Sequence, residues 1–143
     1  MARWRMSREI ETWSVLKSKL ESAKAHIVRV ENSAMAGSPD VNFCKDGIEV
    51  WIERKHVPKA PKPGAILKMP HFTAQQKIWI RRRHAASGRI FVFVQVGREY
   101  ILLRGIVAVQ ILGSSTLEEL KERAAGVWVG KLPSEELVER LLY

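Results

Sequence analysis

Asp46-Gly47 stands between two runs of alternating apolar and polar residues, Val41 to Lys45 and Ile48 to Lys55. Asp-Gly in that setting predicts a two-residue hairpin, because both central residues of such a turn need positive φ. The turn fixes a register: Val41 faces Ile52, Phe43 faces Val50, and Asp40 faces Glu53. Side chains alternate, so Val41, Phe43, Val50 and Ile52 share a core-building face, while Asp40, Glu53 and Lys55 share the other. Two opposed carboxylates repel and destabilise a hairpin. A divalent cation between them turns repulsion into coordination. All-oxygen ligands with room for water suit Mg²⁺ or Mn²⁺ rather than Zn²⁺.

The surrounding chain supplies helices and further strands. Ser7 to about Ala25 reads as a helix with Met6, Trp13, Leu16, Leu20 and Ala23 on one stripe. Glu9 falls between the helical angles of Leu16 and Trp13, whereas Glu11 points toward solvent. A carboxylate aimed at a core needs a cation or hydrogen bonds, which marks Glu9 as a third acidic candidate; fraying of the helix start would leave it wet. Ile27 to Val30 reads as a strand and residues 32–39 as a loop. Val57 to Pro70 holds four of the six prolines together with Lys59, Lys62 and Lys68, and is expected to be an exposed cationic loop whose lysines, with Arg29, contact DNA. Thr73 and Gln76 form a capping box opening a helix to about Ala86, closed by Gly88. Arg89 to Val96 and Glu99 to Arg104 read as a hairpin across Gly97-Arg98. Val107 to Leu112 fits either strand or short helix. Ser115 and Glu118 suggest a second capping box, with a helix to about Ala125. Val127 to Val129 is a short strand, and Ser134 caps a last helix with Glu135 and Glu136 in its first turn. This order predicts an α/β domain with a central mixed β-sheet flanked by helices. It is expected to be one domain over 1–143, with a core of about 7–104 and a C-terminal helical extension of about 105–143.

The formal net charge of +9 points to a polyanionic partner, nucleic acid before membrane. A merely basic surface is the plainer alternative. Lys77, Arg81, Arg82, Arg83 and His84 make a basic helix suited to phosphate contact, or a solvated charged face. Trp51 and Trp79 are expected in the core or at an interface. Cys44 is the only cysteine, which excludes an intrachain disulfide and fits a reducing compartment. No apolar run approaches the roughly 20 residues of a membrane span. The N-terminus lacks the apolar core of a signal peptide, so a cytoplasmic protein is expected. His26, His56, His71 and His84 show no metal-ligand spacing. No Gly-rich phosphate loop or nucleophilic serine signature is present.

Two carboxylates and an amine at one strand end suit metal-assisted phosphodiester hydrolysis. A bound cation acidifies water and offsets the charge developing on phosphorus, and an adjacent lysine orients that water or stabilises the transition state. Asp40 and Glu53 are the expected metal ligands and Lys55 the residue serving the nucleophile. A surface ion pair between Glu53 and Lys55 is the alternative.

Pro39-Asp40 followed by Glu53-Arg54-Lys55 resembles the PD-(D/E)xK nuclease superfamily. Gly37-Ser38-Pro39-Asp40, Gly47, Glu53-Arg54-Lys55 and Gln76 resemble its virus-type replication-repair branch. Glu9 and Arg29 resemble the helix-borne glutamate and strand arginine of archaeal-type Holliday-junction resolvases, which also occur in phages. The similarity spans roughly Glu9 to Leu103. It implies a mixed sheet flanked by helices, Mg²⁺-dependent DNA cleavage with Mn²⁺ as substitute, and a homodimer. It further implies that the Arg54 backbone carbonyl adds a metal ligand and that Gln76 lies near the active site; the other role for Gln76 is its capping box. A phage source would place the protein in the host cytoplasm. The Pro/Lys-rich loop after Lys55 is longer than resolvases lead one to expect. The expected activity is resolution of branched DNA in recombination or repair. A flap- or nick-directed nuclease and a non-catalytic basic DNA-binding module are the alternatives.

Overall fold

A computed structural model describes residues 13–31 and 36–143. Residues 13–22 are helical (α1) and lead into strand β1, His26–Arg29. Strands β2, Val41–Lys45, and β3, Ile48–Val57, form the expected hairpin. Its turn residues Asp46 and Gly47 have φ of 52° and 78°, as a two-residue turn of this type demands. The register is the expected one, with Val41 opposite Ile52 and Phe43 opposite Val50. Helix α2, Ala74–Ala85, then carries the chain across to β4, Ile90–Val96, which pairs with β3 in parallel. A parallel pair requires such a crossover. Strand β5, Glu99–Arg104, helices α3, Gly105–Ile111, and α4, Leu117–Arg123, strand β6, Gly126–Val129, and helix α5, Ser134–Leu142, complete the described chain. The six strands lie in sequence order in one sheet, and every neighbouring pair but β3–β4 is antiparallel.

Strand alternation divides the core into two layers. Val41, Phe43, Val50, Ile52, Phe91 and Phe93 pack against Leu16 and Leu20 of α1 and Leu137 and Leu141 of α5. Ile90, Val92, Val94, Ile101 and Leu103 point the other way, onto Ile80 of α2, Ala108 of α3 and Leu120 of α4. Residues 105–143 thus supply an edge strand and buried side chains of both layers.

Several local expectations are corrected. Strand β3 runs two residues past Lys55, to Val57. The following loop is not wholly exposed: Leu67, Met69 and Phe72 are buried, and Ile66 bridges to Thr116. Ser87, not Gly88, takes the left-handed position after α2, at φ 64°. Gly88 N–H reaches back to the Arg83 carbonyl at 2.8 Å, completing the helix stop one residue later. Val107 to Leu112 resolves as helix, because α3 lays Ala108 onto the sheet. Thr116, not Ser115, caps α4, its hydroxyl accepting from Glu119 N–H at 3.1 Å. Ser115 is buried, and its carbonyl accepts from Leu67 N–H. Pro133 takes the N-cap position of α5, and the Ser134 hydroxyl instead donates to the Lys19 carbonyl of α1.

Candidate active site

Glu53 and Lys55 lie on the α2 side of β3, because Val50 and Ile52 occupy the opposite face. They are the only buried charged residues among those described, at 6% and 8% exposure. The Lys55 ammonium donates to the His71 carbonyl at 2.9 Å and to Gln76 Oε1 at 3.0 Å, and lies 3.2 Å from Glu53 Oε2. Three N–H bonds thus meet three oxygens. The Gln76 amide does two jobs at once. Its Oε1 accepts from Thr73 N–H at 3.0 Å, closing the capping box, while its Nε2 donates to Glu53 Oε2 at 3.2 Å. The cap and the site, alternatives from sequence alone, are one arrangement: helix α2 begins where its first turn can reach β3.

Asp40 precedes β2, so strand alternation does not bind it. Its carboxylate accepts from Arg54 N–H at 3.2 Å and from Arg54 Nε at 2.8 Å. Asp40, expected to share a cation with Glu53, also has an internal cationic partner in Arg54. The Arg54 guanidinium lies in turn 5.7 Å from the centre of the Trp13 ring, a cation–π distance. The Asp40 loop is anchored at Gly37, whose φ is 82°. A Cβ there would lie 2.4 Å from the Gln75 carbonyl oxygen, so only glycine lets the loop lie on the first turn of α2.

Burial pushes the Glu53 carboxyl up from the usual 4.5 to about 7, and the neighbouring Asp40 charge pushes it further in the same direction. Lys55 and Arg54 pull it back without compensating. Glu53 therefore sits where more positive charge would be welcome. Asp40 and Glu53 form an all-oxygen donor pair, one of them buried and raised in proton affinity, which fits a hard divalent ion that keeps several waters. Among the described residues no third acidic, histidine or cysteine side chain joins them. Glu9, the expected third carboxylate, lies outside the described residues.

The expected DNA-contacting residues are dispersed. Lys59, Lys62 and Lys68 are exposed on the loop after β3. Arg29 is exposed, 3.6 Å from Glu31 and 6.0 Å from the Trp13 ring centre. Lys77 lies 5.4 Å from the Phe72 ring centre. Arg81 and Arg82 are exposed on α2. Arg83 packs over Trp79 and Trp51 at 4.6 and 5.6 Å. Sequence reasoning missed the Arg54 side chain and the His71 carbonyl. Arg54 was legible as the charged residue inside the motif; nothing in the sequence marks a loop carbonyl.

Neither a family profile nor a curated protein sequence matches the chain. Among solved structures, it matches Hjc, a Holliday junction resolvase from the archaeal hyperthermophile Archaeoglobus fulgidus. The TM-score is 0.54 over 87% of this chain and 98% of that one, at 16% sequence identity. The chain has the α/β fold of that resolvase, a mixed sheet between helices of the restriction-endonuclease-like type. Among the described residues no helix is long and apolar enough to cross a membrane.

Proposed function

We propose that this protein is a Mg²⁺-dependent, structure-specific endonuclease that hydrolyses phosphodiester bonds in branched DNA, as a Holliday-junction resolvase does. The observation that carries this reading is the buried Glu53–Lys55–Gln76 network beside Asp40. A buried carboxylate with its proton affinity raised is costly to keep without a function. The resolvase fold at the level of architecture, the PD…ExK spacing and the charge of +9 support it.

Asp40 and Glu53, with the Arg54 carbonyl and Glu9, are the proposed metal ligands; the ion would supply an acidified water and charge neutralisation at phosphorus. Lys55 presents a fixed positive charge beside Glu53 for the anionic transition state. Gln76 holds Lys55 and Glu53 at their separation. Lys59, Lys62, Lys68, Lys77, Arg81, Arg82 and Arg29 are proposed to contact phosphates. A homodimer would place two such sites on two strands, as a four-way junction requires.

The test is cleavage-product mapping on a synthetic four-way junction. With Mg²⁺ or Mn²⁺ the wild type is expected to make paired symmetric nicks. Asp40→Ala and Glu53→Ala should each abolish cutting while junction binding survives. Full activity in EDTA or in either variant would overturn the metal assignment. Faster cutting of flapped or nicked duplexes than of junctions would replace the resolvase reading with flap- or nick-directed repair.

A further inference from the structure

A groove of about 600 Å³ runs beside α2, lined by Ala36, Gln75, Ile78, Trp79, Arg82 and Arg83 among others. Its volume is in the range of roughly 300–1,000 Å³ that ligand pockets occupy. One part of it is apolar: Ile78 is 44% exposed there, although Ile80, two residues on, is buried. The other part is cationic. The Arg83 guanidinium rests in an elbow of two indoles, Trp51 and Trp79, whose rings meet edge to face at 5.4 Å. Neither Arg82 nor Arg83 has a carboxylate partner among the described residues. Unpaired guanidinium groups beside an exposed apolar and aromatic surface suit a ligand with a flat face and an anion. A nucleotide has both.

The groove shares the Gly37 loop and the first turn of α2 with the candidate active site. Ala36 adjoins Gly37, which lies against the Gln75 backbone, and the same loop leads to Asp40. Gln75, lining the groove, is the sequence neighbour of Gln76, which bonds Glu53. A strand reaching Asp40 along this loop would pass the groove.

We propose that this groove receives one unpaired nucleotide of branched DNA. Its base lies against Ile78, Trp79 and the Arg83 guanidinium, and its phosphate is held by Arg82. The inference rests on the nuclease reading; in a four-way junction, whose arms are paired, the nucleotide is one freed by fraying at the branch point.

The test compares, in EDTA, a blunt duplex with one bearing a single-stranded overhang whose first unpaired base is 2-aminopurine. The wild type is expected to bind the overhang duplex roughly tenfold more tightly, within what one stacked base supplies. The 2-aminopurine fluorescence should be quenched on binding. Ile78→Glu, at an exposed position, should abolish the preference and the quenching, and Arg82→Gln should weaken overhang binding. Equal affinity for both duplexes, or unquenched fluorescence at saturation, would overturn the proposal. So would an Ile78→Glu variant that separates a dimer in sedimentation while keeping the overhang preference, since the groove would then hold a second copy of the chain. Mg²⁺-dependent cleavage by the wild type, run in parallel, separates the two readings. Cleavage without overhang preference sinks the groove alone. Overhang preference without cleavage of any substrate supports the groove and sinks the nuclease.

Discussion

At the scale of single residues, Glu53 is the group whose environment most departs from water. Its raised carboxyl pKa means the folded protein holds a proton that the unfolded chain releases. The sign follows directly. Below pH 4.5 both states are protonated and this group costs nothing. As pH rises toward about 7 the unfolded chain ionises first, and stability falls. The metal-free protein is therefore expected to lose about 3 kcal/mol across this window through Glu53. Urea unfolding in EDTA at a series of pH values measures it. Glu53→Gln should flatten the curve relative to wild type, and parallel curves would show that Glu53 carries no such cost. Added Mg²⁺ should raise the wild-type stability most at the high-pH end, where the carboxylate is charged, and much less in Glu53→Gln. Glu53 and Lys55 were legible from the strand pattern, because alternation after Asp46-Gly47 assigns each side chain a face. The Asp40–Arg54 bond was not, because Asp40 lies outside the ladder, where alternation has no hold.

At the scale of elements, the junction between the Asp40 loop and α2 is the part that glycine makes possible. Gly37 and Gly47 both have positive φ, but their surroundings differ. A Cβ on Gly47 meets nothing within 4 Å, whereas one on Gly37 meets the Gln75 carbonyl oxygen at 2.4 Å and Gln76 N at 2.8 Å. Gly47→Ala is expected to cost about 1 kcal/mol, the ordinary cost of a left-handed alanine. Gly37→Ala should cost roughly 3 kcal/mol, since backbone overlap adds to that strain. Gly37→Ala should also weaken Mg²⁺ binding, because relieving the overlap moves Asp40 and Gln76 apart. Thermal unfolding and calorimetric Mg²⁺ titration of the two variants check this; equal losses in both would show that the packing on α2 is unimportant. The Thr73–Gln76 capping box correctly located the start of α2 from sequence. The caps of α4 and α5 were displaced by one residue: Ser115 is buried with its carbonyl bonded to Leu67 N–H, and the Ser134 hydroxyl is taken by the α1 carbonyl of Lys19.

At the scale of the whole molecule, the sheet carries helices on both faces, and its C-terminal segment completes one of them. Leu137 and Leu141 are fully buried, and Val138 and Leu142 nearly so. Burying four such side chains contributes on the order of 6–10 kcal/mol, comparable with the entire stability of a domain this size. Removal of residues 134–143 is therefore expected to abolish cooperative unfolding and the near-ultraviolet circular dichroism signal. A truncated chain that still melts in a sharp transition would show that α5 is dispensable. The sequence by itself determined the hairpin register, the side of β3 on which Glu53 and Lys55 project, the α/β class and the cationic character. Each follows from local rules of turn geometry, strand alternation, periodicity and charge. Only the tertiary structure decided that Arg54 holds Asp40, that Gln76 caps its helix while bonding Glu53, and that unpaired arginines border an apolar groove. Those facts depend on which elements meet in space, and a local pattern holds no information about the partner that packing brings to it.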